Sequence, residues 1–274
     1  EEELSILIFD RSKKPIELTE VGEKIVNQAR NIVNESERMQ DVVDQEKGFI
    51  GGDFRLGIIP TVMPTLLPMF LKSFIKKYPK VHLKIEELTT AEIIIKLNDG
   101  HLDAAIAATP LVQEKIKERV LYFEPFVGYV PINHRLSSKK YLDRSDLDIN
   151  DILLLEDGHC FRDGVINICK SLKHNSATDS FQVESGSFET LIKLSNEGFG
   201  MTLLPYLHTL DIPKGEQKKY LRYFNEPSPA REVSLLYRKS ELKMQIIDSL
   251  YDIIASIIRG AITFQNVKII SPLR

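Results

Sequence analysis

Past Asp53 the chain alternates short apolar runs with stretches in which apolar residues recur every three to four positions, the signatures of strand and amphipathic helix. The pattern predicts strands over 54–59, 81–87 and 102–107, separated by helices over 65–78 and 90–98, the first of them opened by prolines. A strand over 126–131 follows. A second series then runs as strand 152–155, a helix within 162–174, strand 180–184, helix 188–196 and strand 201–204. A late strand over 232–237 and a helix over 242–258 complete the pattern. Such alternation implies parallel sheets with right-handed crossovers, and two series of this size imply two α/β lobes with a cleft between them. Ligands in sheets of this kind sit at strand carboxyl ends, near helix N-termini, where Thr61 and Thr90 fall.

The first fifty residues follow a different rule. Leu4, Ile6, Leu7, Ile8 and Phe9 form an apolar cluster, Arg11 to Pro15 read as a basic turn, and Ile16-Glu17-Leu18 as a short alternating strand. This opening reads as the middle of a domain whose earlier part lies outside the chain. Thr19 is placed to cap a helix over 20–45. Along it Ile25, Ala29, Ile32, Ser36, Met39 and Val43 keep a 4-3-4-3-4 spacing, the narrow seam of a two-stranded coiled coil. A helix packed on its own domain carries a broader apolar face. Lys47-Gly48-Phe49-Ile50-Gly51-Gly52 then ends the helix with glycines suited to a hinge.

Composition narrows the functions that fit. Among 274 residues, 43% hydrophobic and 27% charged describe a globular chain, and the net charge of −3 leaves no overall nucleic-acid footprint. No apolar run reaches the length of a membrane span. Two cysteines and six scattered histidines make neither a disulfide scaffold nor a metal site. His82, His101, His134, His174 and His208 read as surface or structural residues, Glu86-Glu87 as a solvated strand end, and 114–119 as a solvated charged face. No phosphate loop, dinucleotide fingerprint or nucleophile elbow is present, so neither nucleotide chemistry nor serine hydrolysis has support.

Leu7-Ile8-Phe9-Asp10-Arg11, then Ile16 through Gly22, then Gly198-Phe199-Gly200-Met201-Thr202-Leu203-Leu204-Pro205, together resemble the LysR-type transcription regulators over about residues 4–258. The resemblance implies a two-lobed regulatory domain like that of periplasmic binding proteins. It implies a remnant of a winged helix-turn-helix over 1–19, a dimerising linker helix over 20–47, a first lobe from 53–126 with 232–274, and a second lobe over 127–231. A narrower likeness, to the hydrogen-peroxide-sensing members, rests on Leu155 through Asp163 with Cys169 nine residues past Cys160. Ile59-Pro60-Thr61, Thr90 after Glu86-Glu87, and Leu236-Tyr237-Arg238 add to it. By that resemblance Cys160 reacts with peroxide, Cys169 closes a regulatory disulfide, and Thr61, Thr90, His159, Asp163 and Arg238 shape the pocket. Gly164 directly after Asp163 departs from the pattern and loosens the expected helix.

The same resemblance implies a cytoplasmic, non-enzymatic regulator without cofactor, metal or membrane contact. Its implied partners are DNA, hydrogen peroxide, further copies in a dimer or tetramer, RNA polymerase and a dithiol reductant. Residue chemistry fits: a peroxide-reactive cysteine needs access and a stabilised thiolate, and Cys160 falls at an expected helix N-terminus beside Arg162. Hydroxyls at Thr61 and Thr90 are suited to polarise a peroxide bond. Nine helical steps from Cys160 to Cys169 span ~13 Å, whereas a disulfide needs Cα atoms within ~7 Å, so an intact helix keeps the pair apart. Three other readings compete: a LysR-type regulator binding a small metabolite in the cleft, a thiol peroxidase, and a periplasmic solute-binding protein. The coiled-coil seam disfavours the last two.

Overall fold

The computed structural model describes residues 1–46, 50–169, 185–262 and 266–272. The expected strand 180–184, positions 170–174 of the expected helix 162–174, and hinge residues 47–49 lie outside them. The chain forms two compact units: Glu1–Ile50 with Leu242–Gln245, and Gly51–Glu241 with Ile246–Arg274.

The first unit begins with strands β1 (Phe9–Asp10) and β2 (Glu17–Leu18), an antiparallel pair, followed by the 27-residue helix α1 (Glu20–Glu46). Thr19 caps α1 as its sequence predicts: its hydroxyl accepts from Gly22 N–H at 2.9 Å and donates to the Leu7 carbonyl at 2.7 Å. Gly22 is there for space, because a Cβ would sit 2.0 Å from the Ile8 carbonyl oxygen. The helix therefore starts pressed against the β1 approach. Further along the expected seam Ile32, Met39 and Val43 are 64%, 71% and 41% exposed, so at these positions the apolar stripe is uncovered.

The second unit holds, in chain order, β3 (Gly52–Ile58), α2 (Met63–Lys77), β4 (Val81–Glu87), α3 (Thr90–Asn98), β5 (Ala104–Thr109), β6 (Ile116–Tyr129) and β7 (Tyr141–Leu142). After two 3-10 turns come α4 (Cys160–Ile168), α5 (Phe188–Asn196), β8 (Thr202–Pro205), α6 (Tyr206–Thr209), α7 (Lys214–Tyr220), β9 (Leu221–Phe224), β10 (Ser228–Arg238), α8 (Met244–Ala261) and β11 (Val267–Ile269).

Strands β4, β3 and β5 are parallel neighbours, as the first series predicts. The expectation of parallel sheets throughout does not hold beyond them. β10 is antiparallel to both β5 and β6, and β8 and β9 are antiparallel to β6. Only residues 110–115 separate β5 from β6, too few for a helical crossover between parallel neighbours. The returning β10 fills the slot between them. The expected strand 152–155 reduces to a single parallel bridge, Ile152 to Met201. The second part of the charged run 114–119, read as a solvated face, opens β6, with Ile116 buried, Lys117 exposed and Glu118 and Arg119 half-buried.

Two apolar cores result. In one, β3 residues Phe54, Leu56 and Ile58 and helix residues Leu66, Phe70, Phe74, Ile93 and Leu97 are all fully buried. The other gathers Phe126, Tyr129, Phe161, Val165, Ile168, Cys169, Phe188 and Ile270. β6 and β10 are long enough to run past both groups, so side chains from the two halves meet along them. None of the described helices is long and apolar enough to cross a membrane.

Candidate functional site

The site starts from a turn. Gly158 adopts φ +92, a conformation that glycine takes without strain, and lets the chain enter α4 sharply. His159 is the extended N-cap residue and Cys160 the first helical residue. Cys160 is therefore at the positive end of the α4 dipole, as the sequence predicts, and it is partly exposed. Helix α3 arrives from the other side. Thr89 closes a capping box with Glu92, which leaves Thr90 as the first residue of α3 with its hydroxyl free to point outward. That hydroxyl donates to Cys160 Sγ at 3.6 Å. Two helix N-termini thus meet at one sulfur, and both favour negative charge there.

Beneath Cys160 the helix is fixed by aromatic packing. The Phe161 ring lies 4.8 Å from Phe126 of β6 and 5.1 Å, edge-on, from Phe188 of α5. Gly164 faces the same ring system: a Cβ would come within 3.0 Å of Phe126 Cζ. The glycine that weakens α4 is therefore also what lets Phe126 pack against it. His159 is 8% exposed, with Nε2 3.4 Å from Glu156 Oε1. Gly186 makes room for both, since a Cβ there would lie 2.9 Å from Glu156 Oε1 and 3.0 Å from His159 Nε2. Asp163 is half-buried in the first turn of α4.

The cation of the site is Arg231. Its guanidinium carbon sits 5.0 Å above the Phe161 ring. Nη1 donates to Thr61 Oγ1 at 2.8 Å and Nη2 to the Thr61 carbonyl at 3.0 Å. Nε and Nη2 both donate to Glu124 Oε2, at 2.9 and 2.7 Å. Glu124 in turn accepts from Leu207 N–H through Oε1 at 2.9 Å. This ion pair is almost wholly buried, at 4% and 1% side-chain exposure, and each member is held by further hydrogen bonds. Thr61 is thus linked to Phe161 through Arg231, and Thr90 to the adjoining Cys160 through its hydroxyl.

Arg238, expected in the pocket, is not there. It lies seven residues beyond Arg231 on β10, about 23 Å away at ~3.3 Å per residue, opposite Ile116 and paired with Glu241 at 2.9 Å. Nor does Arg162 point to the sulfur. It donates Nη1 to the Leu155 carbonyl at 2.8 Å, and its Nε is 2.8 Å from Asp157 Oδ1 but out of line for a hydrogen bond. The Glu86 carboxyl is held below the ordinary range by its hydrogen bond with Lys96, which makes it a surface pair.

Cys169 caps the far end of α4, 5% exposed within the second core. Burial pushes its thiol up to about 11, with Asp148 adding to the shift and Arg144 opposing it. The two sulfurs are unbonded. The raised value has a consequence for stability. A thiol that holds its proton more tightly when folded stabilises the fold fully below its ordinary value of 9 and loses that contribution as pH rises toward 11. Urea unfolding from pH 8 to 11 is expected to show a steeper alkaline loss in the unsubstituted chain than in Cys169→Ser. Parallel curves would contradict the buried-thiol assignment.

No group of described residues has the arrangement of a metal site. A cavity of about 450 Å³, lined by residues including Tyr141, Tyr206, Tyr223 and Glu226, involves none of the residues around Cys160. Residues 47–256 match the family described as LysR substrate binding domain. The chain belongs to the LysR family. Among its relatives is the Escherichia coli DNA-binding transcriptional dual regulator OxyR, 29% identical over 238 residues, 87% of this chain and 77% of that protein. A full-length OxyR variant from Pseudomonas aeruginosa superposes with TM-score 0.73 at 31% identity, covering 93% of this chain and 84% of the other. A hydrogen-peroxide-bound OxyR mutant from Corynebacterium glutamicum gives 0.72 at 26%, covering 94% and 80%. The relatives so named are transcription regulators, a non-enzymatic family.

Arg231, Glu124 and Gly186 were not legible as site residues. One signal exists in the LysR chain's own sequence for Glu124, a lone charge inside the apolar run Tyr122-Phe123-Glu124-Pro125-Phe126, whereas Arg231 is followed directly by Glu232. A charge buried in such a run needs an opposite charge or hydrogen bonds to satisfy it.

Proposed function

We propose that this LysR-family chain is a hydrogen-peroxide-sensing transcription regulator whose sensor is Cys160. The observation that carries the reading is the meeting of Thr90 and Cys160 at the first turns of α3 and α4. It supplies an accessible sulfur, positive helix ends and a hydroxyl donor in one place. In the proposed first step the Cys160 thiolate attacks one peroxide oxygen and the O–O bond breaks. The departing hydroxide takes up the proton the thiol released, giving sulfenic acid and water. The Thr90 hydroxyl stabilises the oxygen that gains charge. In the second step the Cys169 sulfur displaces the sulfenic oxygen, which leaves as water, and a disulfide forms.

The cysteines stand at opposite ends of α4, ~13 Å apart along the axis, so the second step requires α4 to unfold. Phe161 and Ile168, packed in the second core, then move, and the lobe surface changes. Through self-association along the exposed α1 stripe, as a dimer or tetramer, that change re-sets how DNA and RNA polymerase are engaged. A cellular dithiol reverses it. Mass spectrometry after brief treatment with stoichiometric peroxide, with free thiols alkylated, is expected to find loss of two hydrogens between Cys160 and Cys169, reversed by dithiol. Full alkylation of both thiols would overturn the proposal.

A further inference from the structure

The end of α4 that carries Cys169 is tied down from two directions. Arg144, just after β7, donates Nη2 to the Asn167 carbonyl at 3.0 Å and Nε to the Ile168 carbonyl at 3.4 Å. These are carbonyls that the last turn of a helix leaves without intrahelical partners. From the other side, Asn167 Nδ2 donates to the Ser271 carbonyl at 3.0 Å, a bond between residues 104 positions apart. The segment that supplies Ser271 is itself anchored. β11 pairs parallel with Ser228–Ala230 of β10, Ile270 N–H donates to the Ala230 carbonyl at 2.8 Å, and the Ile270 side chain is buried in the same core as Ile168 and Cys169. Ala230 adjoins Arg231, so the strand that positions the cation at one end of α4 also holds the strap at the other.

We infer that Asn167, Arg144 and the C-terminal strap through Ser271 form a latch that keeps Cys169 in place, so that they position the resolving thiol and set the rate of the second step without touching the first. The inference rests on the proposed redox switch for its meaning, but the latch itself is testable without peroxide. A closed α4 shields Cys169 from a reagent and holds it away from Cys160, because the residue is buried and its own N–H bonds the Val165 carbonyl at 3.2 Å. Each broken tie raises the population of the open form by the worth of one hydrogen bond.

The test uses the full chain, reduced, with Cys160→Ser so that Cys169 is the reporter. Asn167→Ala is expected to raise the alkylation rate of Cys169 by about fivefold, one hydrogen bond's worth, and Arg144→Gln, which removes two bonds, by at least as much. That gain should be independent of low urea, the mark of a local opening, and absent from Lys193→Ala, which removes a surface pair on α5. A gain that grows with urea would assign it to global unfolding and overturn the latch, as would unchanged labelling in both latch variants. With Cys160 restored, the latch variants are expected to close the disulfide about fivefold faster after peroxide while sulfenic acid forms at the unaltered rate. If labelling rises but peroxide has no effect on either thiol, the latch stands and the peroxide reading falls.

Discussion

At pH 7 the Cys160→Ser protein is expected to react with hydrogen peroxide about 10³- to 10⁴-fold more slowly than the unsubstituted chain. The thiolate is the reacting species, and Cys169 would be the only thiol left. With its thiol pushed up to about 11, only about one molecule in 10⁴ carries a Cys169 thiolate at pH 7. Burial hinders that fraction further, because Cys169 is only 5% exposed. Cys169→Ser, by contrast, removes no group near Thr90, and is expected to keep the first reaction at full rate and stop at sulfenic acid. Stopped-flow peroxide consumption with dimedone trapping reads both variants. A residual rate in Cys160→Ser within tenfold of the parent would remove Cys160 from the sensing role.

Arg231→Met is expected to destabilise the chain by about 3–5 kcal/mol, the cost of leaving a buried charge without its partner. Glu124 would keep only the Leu207 N–H, and Thr61 would lose both of its bonds to the guanidinium. The arginine's position over Phe161 would pass to a flexible thioether, which fills the space without the charge. Urea unfolding measures the loss. Adding Glu124→Gln should recover part of it, because a neutral amide tolerates the dry site better than an unpaired carboxylate does. A single substitution costing under about 1 kcal/mol would mean that water reaches this pair, and the site behind Phe161 would need a different account.

The first-half elements were legible because their signals are local. Proline-opened α2, alternating β4 and small-residue β5 carry patterns that any neighbour would satisfy in the same way. Thr19 at the start of α1 belongs to the same class, with the cap directly before the first helical residue, Glu20. Strand direction was not legible: a strand buried on both faces shows the same apolar run whether its neighbour is parallel or antiparallel, which is why β10 and β8 were misread. The length of β6 was hidden by Lys117, Glu118 and Arg119, charges that an edge position tolerates in a strand.

The site divides in the same way. The turn at Gly158, the cap at His159 and the first helical position of Cys160 follow from residues adjacent in sequence, as does the ninefold spacing that keeps the two cysteines apart. Which arginine stands behind Phe161 does not. Arg231 and Arg238 lie on one strand, and only the register of β10 against β5 and β6 sends the first toward Glu124 and the second toward Glu241. The Asn167 tie to Ser271 joins residues 104 positions apart, with no pattern in either neighbourhood to announce it. Sequence alone determined the first-half elements and the place of Cys160 at the start of α4, because short-range sterics and hydrogen bonding set them. Tertiary structure alone decided the cation, its acid and the latch, because a buried charge or amide is matched by whichever partner the packing brings to it.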